Sequence, residues 1–213
     1  MESFWRNKIT ESAVVIGNGE SRSSIDLGVF SDSTTIGCNA LHRDFIPNHL
    51  ICCDKRMVEE SLNNPKTLET KIYTRKDWAR HFRKIHKKKN VFAVPDLPYR
   101  GDQRCDQPVH WGSGNYAVLL AAMNFQNIVL IGFDLYDTQD KINNIYKDTV
   151  NYSPKNSKPV DPSYWIYQIS RVMEIYSEKK FIIYNRSGWT APRQWLKSNA
   201  IYENISNISL TNK

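Results

Sequence analysis

The sequence predicts an α/β fold: a doubly wound, mainly parallel sheet with helices on both faces, built as a single domain over residues 1–213. Three observations predict it. Short apolar runs alternate with stretches of helical periodicity. Several runs end directly in Asn or Asp. One glycine-rich turn leads a charge-free apolar helix into a further apolar run.

In chain order, the strand-like runs are residues 12–16, 34–38, 48–53, 71–73, 128–131 and 181–184. The first runs into Gly17-Asn18-Gly19, the second into Asn39, the third into Asp54, and the fifth is followed closely by Asp134. Between them, residues 23–30, 57–62, 75–86, 113–125 and 164–176 read as helices. Two segments fit neither pattern. Residues 94–110 carry Pro95, Pro98, Gly101 and Pro108, and residues 141–163 carry Pro154, Pro159 and Pro162. Long loops inside compact domains are usually functional or disordered, and these two flank the glycine-rich unit, so both are read as lid segments.

That unit, Trp111-Gly112-Ser113-Gly114-Asn115-Tyr116, precedes a helix and a strand that ends in Gly132-Phe133-Asp134-Leu135-Tyr136. In open α/β sheets ligands bind outside the carboxyl ends of the strands. Gly114 is expected to leave room at a helix N-terminus, whose free N–H groups favour an anion, and Asp134 and Tyr136 to project into the same crevice. The turn Gly17-Asn18-Gly19 has the position of a phosphate turn. It is not G-x-G-x-x-G, because Arg22 holds the last glycine position, and no Gly-Lys-Ser/Thr follows. A dinucleotide dehydrogenase and a P-loop enzyme are thereby disfavoured. Asn18, Asn39, Asp54 and Asp134, lined up on one sheet edge, can read a base and ribose hydroxyls; each alone is also an ordinary turn residue.

Composition is that of a globular chain, 40% hydrophobic and 24% charged. The N-terminal residues lack a secretory apolar core and no apolar run is long enough to span a bilayer, so a soluble cytoplasmic protein without a transmembrane segment is expected. The net charge of +7 is concentrated: residues 74–90 hold eight Lys and Arg against Asp77. Trp78, Phe82 and Ile85 recur there at helical spacing, leaving a basic outer face. Such a face suits solvent as well as an anionic partner. Cys38, Cys52, Cys53 and Cys105 show no C-x-x-C spacing and read as structural thiols. The histidines are scattered and no Asp-x-Asp occurs, so no metal site is expected and no cofactor is called for.

Val15-Ile16-Gly17-Asn18-Gly19-Glu20-Ser21, Gly37-Cys38-Asn39, and Ser113-Gly114 followed by Gly132-Phe133-Asp134-Leu135-Tyr136 resemble the bacterial sialyltransferases of glycosyltransferase family 42, over roughly residues 13–137. The resemblance implies a Rossmann-like domain of the GT-A-variant sialyltransferase type with a lid. It implies inverting, metal-independent transfer from a CMP-activated sugar to a glycan-type acceptor. It further implies donor binding by Asn18, Gly19, Asn39, Ser113, Gly114 and Asp134. Asp54 falls where the family has an asparagine near the donor. Tyr136 matches a tyrosine that stabilises the departing phosphate, and a second such tyrosine falls near Tyr146. The family's lid histidine is not matched: the region reads Val160-Asp161-Pro162-Ser163-Tyr164. Asp161 or His110 is therefore the candidate base. The alternative is a non-catalytic nucleotide- or nucleic-acid-binding protein on the same fold, with the basic segment and aromatics such as Trp165 and Tyr167 as its contacts.

Overall fold

The computed structural model describes residues 11–86, 90–136 and 141–209. Among them, eight strands form one sheet: β1 Ser12–Ile16, β2 Thr34–Cys38, β3 His49–Ile51, β4 Lys71–Thr74, β5 Val91–Ala93, β6 Asn127–Ile131, β7 Lys180–Asn185 and β8 Ala200–Asn204. Their order is β5-β4-β3-β2-β1-β6-β7-β8. Every pairing is parallel, so the sheet is wholly and not mainly parallel. The chain winds outward from β1 in one direction to β5, then returns to lay β6 on the other flank of β1. The strand order reverses there, and the carboxyl ends of β1 and β6 open the crevice where such sheets bind ligands.

Both faces are covered, and β1 shows how: Ala13 and Val15 pack on one side, Val14 and Ile16 on the other, all buried. Period-two alternation within a continuous apolar run is what a strand buried on both faces requires. Over the first face lie α3 (Ser113–Asn124) and α4 (Ser163–Ile175). Val118, Leu119, Ala121 and Ala122 of α3 are fully buried, which explains its lack of a polar side. Over the second face lie α1 (Lys55–Asn63) and α2 (Lys76–His86), through Met57, Val58, Leu62, Ala79 and Phe82. The short α5 (Ser206–Ser209) adds Ile208.

The helix expected over residues 23–30 is replaced by two 3-10 turns, Glu20–Ser24 and Leu27–Phe30. Ser21, Ser23, Ser24, Asp26 and Gly28 favour caps over helix interiors, and the Asp26 carboxylate accepts from the Gly28 N–H at 2.9 Å. β5 and β8 are the two edge strands, and neither was foreseen. β5 has three residues and runs into Val94-Pro95, whereas β8 is largely exposed and polar. No helix among the described residues is long and apolar enough to cross a membrane.

Candidate active site

The two strand ends at the switch point meet backbone to backbone. Gly17 N–H donates to Ile131 O at 2.8 Å, and Gly19 N–H to Gly132 O at 2.9 Å. A Cβ on Gly17 would stand 2.3 Å from Gly132 O, and one on Gly19 would stand 2.5 Å from Asp134 Cγ. Gly132 itself has a φ of +70°. These glycines therefore serve strand-end packing, and the Gly19 N–H is already engaged.

Asp134 is 1% exposed and does not project into an open crevice as expected. Its carboxylate accepts from the Ser21 N–H at 2.7 Å and from the Ser21 hydroxyl, and Asn185 Nδ2 approaches at 3.5 Å. It ties the β1 loop to the β6 loop. Arg22, noticed in the sequence only because it breaks a glycine pattern, is a second tie. It is 3% exposed, and its Nε donates to Gly17 O at 2.7 Å and its Nη1 to Asp44 at 3.2 Å. Arg22 Nη2 donates to the Tyr146 hydroxyl at 2.8 Å, which in turn donates to Asp44. Tyr146 is thus buried with its hydroxyl bonded on both sides, a brace for the cover and not a free phosphate donor.

The cover, residues 141–153, lies over the ends of β1 and β2. Ile145 N–H donates to Asn18 O at 2.9 Å, Asn143 Oδ1 accepts from Glu20 N–H at 2.8 Å, and Lys147 pairs with Glu20. Arg43, after β2, donates to Thr149 Oγ1 at 2.7 Å and to Val150 O at 2.8 Å while paired with Glu60 at 2.5 Å. The tyrosine that enters the crevice is Tyr152. Its hydroxyl accepts from Asn18 Nδ2 at 3.2 Å and from Ala40 N–H at 3.4 Å. Burial raises its pKa above the ordinary phenol value, so the hydroxyl is neutral.

Under it stand Asn18, 9% exposed, and Asn39, in the left-handed region at φ +50°. The carboxamide oxygens of both are buried without a partner. Two buried acceptors without a protein partner thus stand on adjacent strand ends, where a ligand's donors could satisfy them. Asp54, the third of the aligned strand-end residues, turns away: it is exposed and caps α1, accepting from Arg56 N–H at 3.0 Å.

The N-terminus of α3 completes the crevice. Gly112 is its N-cap without a side-chain cap, and the first intrahelical bond is Tyr116 N–H to Gly112 O at 3.1 Å. Ser113 Oγ accepts from Cys53 N–H at 3.0 Å, joining the helix start to the end of β3. Gly114 is not sterically required, since a Cβ there would make only ordinary contact with Phe133 at 3.5 Å. His110 ends a 3-10 turn two residues before Gly112. Its Nε2 accepts from Arg104 Nε at 3.2 Å, and its ring meets Tyr164 edge-on. Asp161 is exposed and accepts from Ser163 N–H at 2.9 Å at the start of α4. Tyr136 is half-buried, its hydroxyl donating to Thr190 O at 2.6 Å.

The other expected lid segment, residues 94–110, packs on α4. Gln168 Nε2 donates to Cys105 O at 2.9 Å and to His110 O at 3.2 Å, and the Tyr167 hydroxyl donates to Asp106 at 2.8 Å. The cysteines are free thiols. Burial pushes Cys38 up to about 12 and Cys53 up to about 11. Among the described residues no three His, Cys, Asp or Glu side chains gather as metal ligands would. Of the basic segment, Lys76, Arg80, Arg83 and Lys84 line an open hollow of about 530 Å³ beside β5, whereas Lys87, Lys88 and Lys89 lie outside the described residues.

No family model matches the chain, and no curated protein is similar to it at a significant level. A solved structure is similar: the MAf glycosyltransferase from Magnetospirillum magneticum AMB-1, with a TM-score of 0.53 and 13% identity, matched over 93% of this chain and 34% of that one. The chain spans about a third of that protein's length. At this identity the likeness establishes a shared fold: an α/β, Rossmann-like domain with an all-parallel sheet whose strand order reverses between β1 and β6.

Proposed function

We propose that this chain is a glycosyltransferase that binds a nucleotide sugar of the CMP type at the carboxyl ends of β1, β2 and β6, and transfers the sugar with inversion and without a metal. The observation that carries the reading is the pair of buried, unpartnered carboxamide oxygens of Asn18 and Asn39 at the switch point. They can accept from ribose hydroxyls or a base amine. The spot held by the Tyr152 hydroxyl, where Asn18 Nδ2 and Ala40 N–H converge, suits a ligand oxygen. The uncapped start of α3 faces the phosphate. The fold shared with a protein named as a glycosyltransferase supports the same reading.

In the transfer, an acceptor hydroxyl oxygen attacks the anomeric carbon as the bond from that carbon to the phosphate oxygen breaks. The nucleotide leaves with the bonding electron pair. Tyr136, released from Thr190 O, donates to the leaving phosphate as its charge grows. His110 takes the acceptor proton, since its Nε2 already acts as an acceptor and it lies two residues from the helix start. Asp161 is the second choice, engaged at the start of α4. Tyr152 takes over in the cover the place first assigned to Tyr146. Residues 141–153 would exclude water, which otherwise competes as acceptor.

The test is turnover of a CMP-activated sugar in EDTA. CMP release is expected to persist in EDTA and to fall about 10²–10³-fold in Tyr136→Phe, the loss typical of one preorganised donor. No release by the unaltered protein, with or without an acceptor mixture, would contradict transfer. Nucleotide binding without release, together with tight, salt-sensitive capture of RNA or DNA at the Arg80–Lys84 face, would favour the binding-protein alternative.

A further inference from the structure

We propose that the Tyr152 hydroxyl is an internal stand-in for the nucleotide, an autoinhibitory contact that keeps the crevice closed until a ribose hydroxyl displaces it. The inference rests on the nucleotide-sugar reading above.

The crevice offers two donors and two acceptors at the ends of β1 and β2, and the tyrosine serves only the donors. Asn18 Nδ2 donates to the Tyr152 hydroxyl at 3.2 Å and to Cys38 O at 3.4 Å, which fixes the end of the carboxamide that carries the hydrogens. Ala40 is fully buried, and its N–H donates to the same hydroxyl at 3.4 Å. The hydroxyl oxygen thus stands where a ligand oxygen would accept both bonds. Asn18 Oδ1 and Asn39 Oδ1 stay buried without a partner, so the single phenolic proton reaches neither. A pair of ribose hydroxyls supplies an oxygen for the two donors and protons for the two carboxamide oxygens. The exchange replaces the two bonds lost with the tyrosine and satisfies two acceptors that the closed crevice leaves bare.

The contact is a built one. Asp148, Thr149, Val150, Asn151 and Ser153 at the tip of the cover are exposed, and Tyr152 alone among them turns inward. Asp148 and Asn151 hold left-handed backbone, with φ of +62° and +68°, a conformation that Asp and Asn adopt more readily than most side chains. Tyr152 N–H closes the turn onto Thr149 O at 3.0 Å. The ring of Tyr152 meets that of Tyr146 at 5.5 Å, and the Arg43 guanidinium lies 5.6 Å from both ring centroids. Tyr146 is anchored by Arg22 and Asp44, so the cover has a fixed root. Its tip reaches Asn18 and Ala40 through one neutral hydroxyl, a contact that an incoming ligand can replace. Once released, that hydroxyl is free to meet the phosphate, the place given to it above.

The test is titration of the unaltered chain and of Tyr152→Phe with cytidine and with CMP. Cytidine carries the base and the ribose hydroxyls but no phosphate, so its affinity reports displacement apart from any later role of the tyrosine. Tyr152→Phe is expected to melt slightly lower without ligand yet to bind cytidine about threefold to tenfold tighter, because the competing bonds are gone. A tyrosine that only braces the fold would lower melting without tightening cytidine. In protein carrying 3-fluorotyrosine, the fluorine resonance absent from Tyr152→Phe identifies Tyr152, and cytidine should shift it in the unaltered chain. The stand-in is overturned if Tyr152→Phe binds cytidine no more tightly, or if the Tyr152 resonance stays in place while cytidine binds. CMP binding to either protein keeps the nucleotide reading whatever the cytidine comparison shows. If neither CMP nor cytidine binds either protein, the nucleotide reading fails and the inference fails with it.

Discussion

At the scale of single residues, the site is organised by what cannot be enlarged and what cannot be satisfied internally. Gly19→Ala would drive a methyl into Asp134 Cγ at 2.5 Å and Gly132 O at 2.7 Å. We expect a loss of about 1–3 kcal/mol in thermal or urea unfolding, the usual cost of overpacking. A variant as stable as the parent would mean that the two strand ends can separate freely. Asn39 calls for a different substitution. Its φ of +50° suits glycine, so Asn39→Gly removes the carboxamide while keeping the backbone. The expected outcome is unchanged melting with CMP affinity lowered roughly threefold to tenfold, the worth of one net hydrogen bond. The positions of these residues were legible in the sequence, because Asn and Asp at strand ends fall on one edge of any parallel sheet. Their directions were not. Asp134 and Asn18 look alike as strand-end residues, yet one is consumed by Ser21 and the other keeps a free oxygen. Only the packing of Gly19 against Gly132 decides which.

At the scale of elements, the strands with continuous apolar runs and the four longer helices were readable from periodicity. The edge strands β5 and β8 were not, because an edge needs little apolar character, and the Ser- and Gly-rich stretch after β1 coils into 3-10 turns instead of a helix. The cover was legible as an irregular segment, but its anchors come from residues far away in sequence. Arg43 clasps it from the end of β2 through Thr149 and Val150, with Glu60 behind. Glu60 also accepts from Asn151 at 3.0 Å, so both ends of the clasp meet at α1. Arg43→Ala should expose residues 146–152 to faster amide hydrogen exchange while leaving β1 and β6 protected. Unchanged exchange in that segment would show that Tyr146 and Tyr152 hold the cover without the clasp.

At the scale of the whole molecule, burial sets how the fold meets acid. Burial holds His42 below its ordinary value of 6.5, with Glu60 opposing, and burial with Lys71 does the same for His49. The unfolded chain therefore takes up these protons first. Their stabilising contribution is complete above about pH 7 and is lost as pH falls below 6.5 toward the folded values. Glu60 and Glu174 are held below 4.5, chiefly by hydrogen bonds from Arg43 and from Lys197, and their contribution is lost only below that pH. The melting temperature should thus be flat above neutrality and fall in two stages on acidification, measured by calorimetry between about pH 3.5 and 8. A melting temperature constant down to pH 5 would contradict the burial of both histidines. Whether the crevice takes a nucleotide is tested by isothermal titration of the unaltered chain and of Asn39→Gly with CMP, in EDTA. Saturable CMP binding is expected, unaffected by EDTA and weakened by Asn39→Gly without unfolding. Absence of binding, or equal affinity in the two proteins, would contradict it.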